Sequence, residues 1–324
     1  MNTRFQFAAF LALAATLPAV AEISINENFA VSGYISGSAA YTETDGVKDG
    51  FMDVDAVKLV STAKFDKVTG VVSLHSFAGK DPVFLDAYAT YASSATTSVT
   101  VGNFLSYLGF EAFDYPNMLQ ISYANTLGAF IPAYHSGVKV DYSSEGVSAG
   151  FGILDSIYGS SYHKGDGTLN NGAGLEGYVK FSSGDSSLFI GGAYDDGAGG
   201  TSDERSTFDL WGQTKVGSTT LAAEYCYSNL DTATGDYDGY FWLALAMAPI
   251  GDKWTLTGRI SGGEDAALAL AAGGAAPSFM KYTLSPAVTI TDNLGLLLEY
   301  SHIKYDDFSA DKVHFLAAQV IFKW

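Results

Sequence analysis

The sequence predicts an all-β chain, a transmembrane antiparallel up-and-down β-barrel of about sixteen strands, within two either way. Three observations carry that expectation. An export signal opens the chain, period-2 runs of roughly ten residues repeat from Phe29 to the end, and the connections between runs alternate short with long. Composition narrows the field first. The 324 residues are 48% hydrophobic and 16% charged, and the charged share is below the roughly 25% of ordinary soluble domains. With 21 Phe, 20 Tyr and 4 Trp the chain is too aromatic to stay unpacked. A lone cysteine excludes a disulfide scaffold, and a net charge of −18 excludes nucleic acid, whose phosphates need a basic surface.

The N-terminus comes first in the chain. Arg4 precedes an apolar stretch, Phe7–Leu17, and then Pro18-Ala19-Val20-Ala21. That is the pattern of a secretory signal peptide cleaved after Ala21. Residues 1–21 are therefore read as a leader and 22–324 as one exported barrel domain. No later run approaches the ~18 apolar residues of a membrane helix; the nearest is Phe241–Ile250.

The strand pattern follows. Val138–Tyr142 and Val147–Ile153 alternate apolar with polar or small residues across the tight connection Ser143–Gly146. Further short connections lie near Asp66–Gly70, Ser93–Thr97, Ser182–Ser186, Val216–Thr219, Pro249–Lys253 and Thr291–Asn293. Longer ones lie near Thr42–Phe51, Phe77–Pro82, Ser106–Pro132, Ser156–Ala173, Asp195–Glu204, Asn229–Asp238, Gly262–Ser278 and Tyr305–Ala310. An even strand number with short turns at one end and long loops at the other is the outer-membrane arrangement.

Periodicity leaves a soluble sandwich and a barrel equally open, because both alternate. Other features favour the barrel, with Trp254, Leu256, Ile260, Tyr282 and Leu284 toward lipid and Arg259, Lys281 and Thr283 toward the lumen. Aromatics stand at strand ends (Tyr34, Tyr41, Tyr240, Trp242, Trp254, Tyr300, Tyr305), where interfacial girdles sit. Acids such as Asp45, Asp49, Asp195, Asp231 and Glu264 gather in the long connections. The chain ends inside its last run, with Leu316, Ala318, Val320, Phe322 and Trp324 on one face. Phe322 and Trp324 are the expected assembly signal, and this strand is expected to close the cylinder on Val31–Tyr41.

One stretch carries a family resemblance. Leu85–Tyr91 is followed by Val99–Phe104, Leu108-Gly109-Phe110-Glu111, Tyr123-Ala124-Asn125, Phe130–Val138 and Phe151–Asp155. In this order, with its Gly-x-Glu and Pro-x-x-His-x-Gly-Val elements, it resembles the OmpL-like β-barrel porin family of Gram-negative outer membranes. Asn103 departs from the lysine frequent in that family, which puts in doubt a basic residue on this wall. The resemblance implies a diffusion channel and names no substrate.

A barrel this wide holds water unless something narrows it. Ser106–Pro132, the third long connection, is rich in Tyr107, Phe110, Phe113, Tyr115, Tyr123 and Phe130 and carries only two charges, Glu111 and Asp114. Such aromatics are poorly buried in a water-exposed loop, so this third external loop is expected to fold inward. Candidate constriction residues are Glu111, Asp114, Tyr107, Phe113 and Tyr115. Candidate wall residues facing them are Lys58, Lys64, Lys139, Arg205, Lys215, Arg259 and Lys281. Acids opposite cations set up a transverse field; alternatively the lumen charges pair among themselves, Glu176 with Lys180 and Arg205 with Asp209. Acids at the mouth favour cations.

Catalysis finds no support. His75, His135, His163, His302 and His314 lack metal-ligand spacing, Cys226 reads as packed, and no nucleophile elbow or phosphate loop is present. No cofactor is expected. Expected partners are the bilayer and lipopolysaccharide, the outer-membrane assembly machinery and small hydrophilic solutes. A homo-oligomer is open too, although the short Phe77–Pro82 connection offers little to latch a neighbour. The alternative is a barrel serving as adhesin, receptor or structural anchor without conductance; single-channel recording separates the two.

Overall fold

The computed structural model describes residues 22–125, 130–158, 173–196, 204–232, 235–264, 277–306 and 312–324. The signal-peptide expectation for residues 1–21, including the Ala21 cleavage site, lies outside them, as does His163. A two-residue strand, β1 (Ile23–Ser24), precedes β2 (Phe29–Thr44), β3 (Val47–Phe65), β4 (Val68–Phe77), β5 (Val83–Ala92) and β6 (Thr97–Leu105). Then come β7 (Tyr134–Ser144), β8 (Val147–Leu154), β9 (Gly174–Ser183), β10 (Ser186–Asp195), β11 (Glu204–Val216) and β12 (Thr219–Thr232). The chain finishes with β13 (Gly235–Ile250), β14 (Trp254–Glu264), β15 (Ser278–Thr291), β16 (Leu294–Asp306) and β17 (Lys312–Lys323).

Each strand from β2 to β17 pairs antiparallel with the next, and β17 returns to β2, so the sheet closes into a sixteen-stranded barrel. Closure removes the free edges that an open sheet of this size exposes. The seam joins the last and first long strands: Phe322 lies opposite Ile35 and Leu316 opposite Tyr41. Trp324 exchanges backbone hydrogen bonds with Gly33, both 3.0 Å. A side chain at position 33 would meet the Trp324 ring at 2.7 Å and the Lys58 carbonyl closer still, so the seam requires glycine there.

Seven short turns lie at one end and eight connections at the other, as the alternation predicted. Two of the expected long connections are corrected. β2 and β3 run on past the barrel wall to a turn at Asp45-Gly46, both residues at positive φ (50° and 86°). An Asp-Gly pair of that geometry closes a hairpin, so Glu43 and Asp49 sit on strand extensions and Asp45 in the turn. β12 likewise extends to Thr232 and β13 begins at Gly235, with Asn229 opposite Asp238.

Alternation places lipid-facing and interior residues as read for β11, β14 and β15. Phe208, Trp254, Tyr282 and Leu284 are exposed, whereas Thr207, Asp209, Thr257, Arg259, Ser261, Lys281 and Thr283 are buried. Exposed Tyr41, Tyr194, Tyr225, Tyr282 and Tyr300 form one belt, and Phe29, Phe65, Tyr91, Tyr142, Phe181, Trp254 and Phe322 another near the short turns. Tyr34 does not join the girdle: it shares the inward parity of Ser36 and Ser38 and is buried. Tyr305 packs toward the interior cluster. β13 departs further, with Phe241, Leu243, Leu245 and Met247 inward and Ala244 and Ala246 exposed outside.

Candidate functional site

The connection between β6 and β7 is held by side chains from strands all round the barrel. Two glutamates and an aspartate take its first turns. The Ser106 hydroxyl and the Tyr107 N–H (3.1 Å) donate to Glu176 of β9. The N–H of Gly109 donates to Asp209 of β11 and that of Phe110 to Glu224 of β12, each at 2.7 Å. Gly109 stands at φ 98° and a Cβ there would meet Ile131 at 2.8 Å; the turn that aims these two N–H groups at neighbouring strands therefore depends on glycine. Beyond it, Glu111 forms an ion pair with Arg259 of β14 and accepts the Ala124 N–H at 2.7 Å.

Asp114 lies farther round. Both its oxygens accept from Lys58 Nζ of β3 at 3.0 Å, and Tyr34 of β2 donates to it at 3.3 Å. Lys58 also reaches Asp86 of β5 at 3.1 Å. On the way back, the N–H groups of Ile121 (2.6 Å) and Ser122 (2.9 Å) donate to Glu299 of β16. Lys281 of β15 donates to the Ser122 hydroxyl and the Tyr123 carbonyl, both 2.7 Å. Phe130 packs edge-on against Phe241 of β13, centroids 5.3 Å apart. Hydrogen bonds to ionised groups contribute roughly 1.5–3 kcal/mol each, so this segment is fixed by many anchors.

The aromatics complete the attachment. Tyr107 donates to Asp141 at 2.7 Å and packs on Tyr178 at 4.6 Å. Burial, with Asp141 beside it, holds its phenol above the ordinary tyrosine range, so it stays a donor. Phe110 packs on Trp211, Phe113 on Tyr134 and His75, and Tyr115 on Tyr34.

Of the seven wall candidates, Lys58, Arg259 and Lys281 reach the segment by hydrogen bonds or ion pairs. Lys139 lies 4.5 Å over the Phe104 and Tyr107 rings. Arg205 stacks on Tyr158 at 3.8 Å and donates to Ser228 at 2.9 Å. Lys64 and Lys215 are placed differently from the expectation. They share the inward parity but stand beside the short turns, far along their strands from Glu111 and Asp114.

The suggested self-pairings are corrected too. Glu176 and Lys180 are four residues apart on one strand, about 13 Å, and Glu176 instead meets His135 at 3.4 Å. Asp209 takes the Gly109 N–H while Arg205 turns to Tyr158 and Ser228. Sequence reading overlooked Glu224 and Glu299 as anchors. The signal was present: each is a lone carboxylate on the inward parity of a strand, away from the acid-rich connections. His75 stacks on Phe77 at 4.1 Å, His302 and His314 face each other on the outer wall, and Cys226 is buried.

The model of the family described as "Putative beta-barrel porin-2, OmpL-like" matches residues 53–321. No curated protein matches the chain. Among solved structures, the barrel is similar to an anion-selective porin from Comamonas acidovorans, with TM-score 0.70 and 14% identity over 91% of this chain and 99% of that one. It is similar to OmpF of Salmonella typhi in complex with daunomycin, with TM-score 0.70 and 13% identity over 94% and 100%. OprB of Pseudomonas putida gives TM-score 0.70 and 9% identity over 92% and 94%. At such identities the likeness is one of fold.

Proposed function

This chain belongs to the OmpL-like β-barrel porin-2 family, and we propose that it forms a water-filled diffusion channel for small hydrophilic solutes in an outer membrane, entered from the periplasm after loss of residues 1–21. The 106–132 segment folds into the lumen and is its constriction. One observation carries this reading: the segment's anchors are inward-facing side chains on strands spread round the whole barrel, among them Lys58, Glu176, Asp209, Glu224, Arg259, Lys281 and Glu299. A loop packed over the rim would not reach them in mid-strand.

The arrangement also bears on selectivity. Glu111 and Asp114 are paired with Arg259 and Lys58, so neither is a lone charge in a transverse field. Together with Glu111, Asp114 and Asp86, the carboxylates Glu176, Asp209, Glu224 and Glu299, which accept backbone N–H groups, outnumber the cations at this level, Lys58, Lys139, Arg205, Arg259 and Lys281. Their excess supports a preference for cations at the constriction. Assembly through the C-terminal Phe322 and Trp324, contact with lipopolysaccharide and a homo-oligomeric state belong to the same reading.

The test is conductance of the folded protein in planar bilayers under a salt gradient. The expected result is discrete channels with a cation-selective reversal potential. In the double variant Glu111→Gln/Asp114→Asn the segment loses two anchors, and single-channel conductance rises. Absence of any channel would favour an adhesin, receptor or anchor; an anion-selective reversal potential would overturn the charge argument alone.

A further inference from the structure

Charge inside the barrel is sorted along its axis. At the level of the 106–132 segment the inward carboxylates Glu176, Asp209, Glu224 and Glu299, with Asp86 and the segment's own Glu111 and Asp114, outnumber the cations Lys58, Lys139, Arg205, Arg259 and Lys281, and Asp195 stands higher still at the long-connection end of β10. Toward the short turns the inward positions change sign. Lys64 on β3 stands two residues from its turn, Lys215 on β11 two residues, and Lys180 on β9 four residues from the turn that follows. Their parity is fixed by buried neighbours two or more positions along: Lys58 on β3, Glu176 on β9, and Asp209 and Gln213 on β11. Lys323 of β17 shares the inward parity of Ala317, Gln319 and Ile321. Around the barrel, β17 and β3 lie on one side and β9 and β11 on the other, so these lysines surround the inner mouth.

Most acids of this end stand in the connections and not on the wall, with Asp292 near Lys323. Asp66, Glu145, Asp185, Asp252 and Asp292 are all in or beside the turns themselves, and Glu22 and Glu27 precede β2. Asp141, which shares the inward parity of β7, is engaged by Tyr107.

We propose that the lumen is axially bipolar, with an acidic outer and middle zone and a lysine-ringed inner mouth, and that it therefore passes current asymmetrically. The inference rests on the channel reading above. A negative zone admits cations and a positive zone admits anions. When the long-connection side is positive, cations are driven inward from the acidic zone and anions outward from the lysine ring. Both accumulate where the zones meet, and conductance is high. Reversed polarity pulls both species away from that junction and depletes it. The inner mouth is then the anion-recruiting end, and its lysines determine which periplasmic anions approach.

The experiment is single-channel recording with protein added from one chamber only, so that the short turns lead across the bilayer and the long polar connections stay behind. At about 10 mM salt, where screening extends ~30 Å, current at a given voltage should be at least about twofold larger with the long-connection side positive. At about 1 M salt, with screening near 3 Å, the asymmetry should vanish. The triple variant Lys64→Gln/Lys180→Gln/Lys215→Gln should conduct and insert as the parent does but show equal currents at both polarities in low salt. Symmetric parental current at low salt, or asymmetry that survives the triple variant, overturns the inference while leaving the channel intact. Absence of any channel removes the channel reading and the inference with it.

Discussion

Strands β13 and β15 alternate with the same regularity and put opposite chemistry inside. On β15 the interior receives Lys281, Thr283 and Ser285 after a single ring, Phe279, while Tyr282 and Leu284 face outward. On β13 the interior receives Phe241, Leu243, Leu245 and Met247, and the outer wall is left with Ala244 and Ala246. The difference follows what each strand meets. Lys281 meets the polar Ser122–Tyr123 stretch of the 106–132 segment, whereas Phe241 meets Phe130 at its apolar end. One interior cluster gathers Phe130, Ile131, Leu154, Phe189, Trp211, Phe241, Leu243 and Leu245. The inner wall is thus complementary to one folded loop, charged on one side and oily on the other.

Breaking the charged side should have the largest effect. Arg259 is fully buried and paired with Glu111; Arg259→Ala leaves an acid without its cation, a loss of about 3–5 kcal/mol for a buried pair. Denaturant midpoints of the detergent-folded barrel read this directly, and Arg259→Lys should recover part of it. A midpoint unchanged in Arg259→Ala would mean that Glu111 is already well solvated.

The oily side is tested by truncation. Leu245→Ala removes buried apolar volume and should cost about 3 kcal/mol. The matching change on β15, Ser285→Ala, loses one hydrogen bond to the Leu298 carbonyl, 2.7 Å, and should cost about 1 kcal/mol. Equal costs in the same denaturant titration would erase the distinction between the two walls.

The two strands also explain what could be read beforehand. Alternation, turn spacing and the terminal Phe322 and Trp324 gave away the barrel, because each records a local periodicity. Which parity faces inward is not local. From Lys281 to Ser285 β15 follows the polar-inside rule and β13 does not, since β13 answers to residues more than a hundred positions away. Tyr34 stands at a strand end like the girdle aromatics, yet its partner Asp114 draws it inside. Within the site, Glu111 and Asp114 were legible as isolated charges among rings, and Lys58, Arg259 and Lys281 as inward cations. Lys64 and Lys215 share the inward face but not the level of the segment, because parity gives the face and not the height along the strand. Glu224 and Glu299 went unnoticed because their partners are backbone N–H groups, which leave no mark in a sequence.

The outer wall supplies a smaller effect of opposite logic. Ala246 faces lipid near mid-strand, so Ala246→Arg places a charge in the apolar band at a cost of about 2 kcal/mol. An arginine is tolerated thirteen residues later, at Arg259, because there it faces inward and finds Glu111. Should Ala246→Arg fold with the parent's midpoint, β13 would have to present its small residues to water or to protein instead of lipid.

The smallest change addresses the ring-bound end of the segment. Tyr107 is held by its hydroxyl on Asp141, by Tyr178 beneath it and by Lys139 over its face. Tyr107→Phe removes only the hydroxyl and should cost about 1 kcal/mol, with conductance close to the parent's because ring packing and the Glu176 anchor remain. Tyr107→Ala removes the ring as well and should raise conductance. If the phenylalanine variant alone opened the channel, the hydroxyl on Asp141 would be the latch, and this end of the segment would be as polar in its attachment as the end held by Lys58 and Arg259.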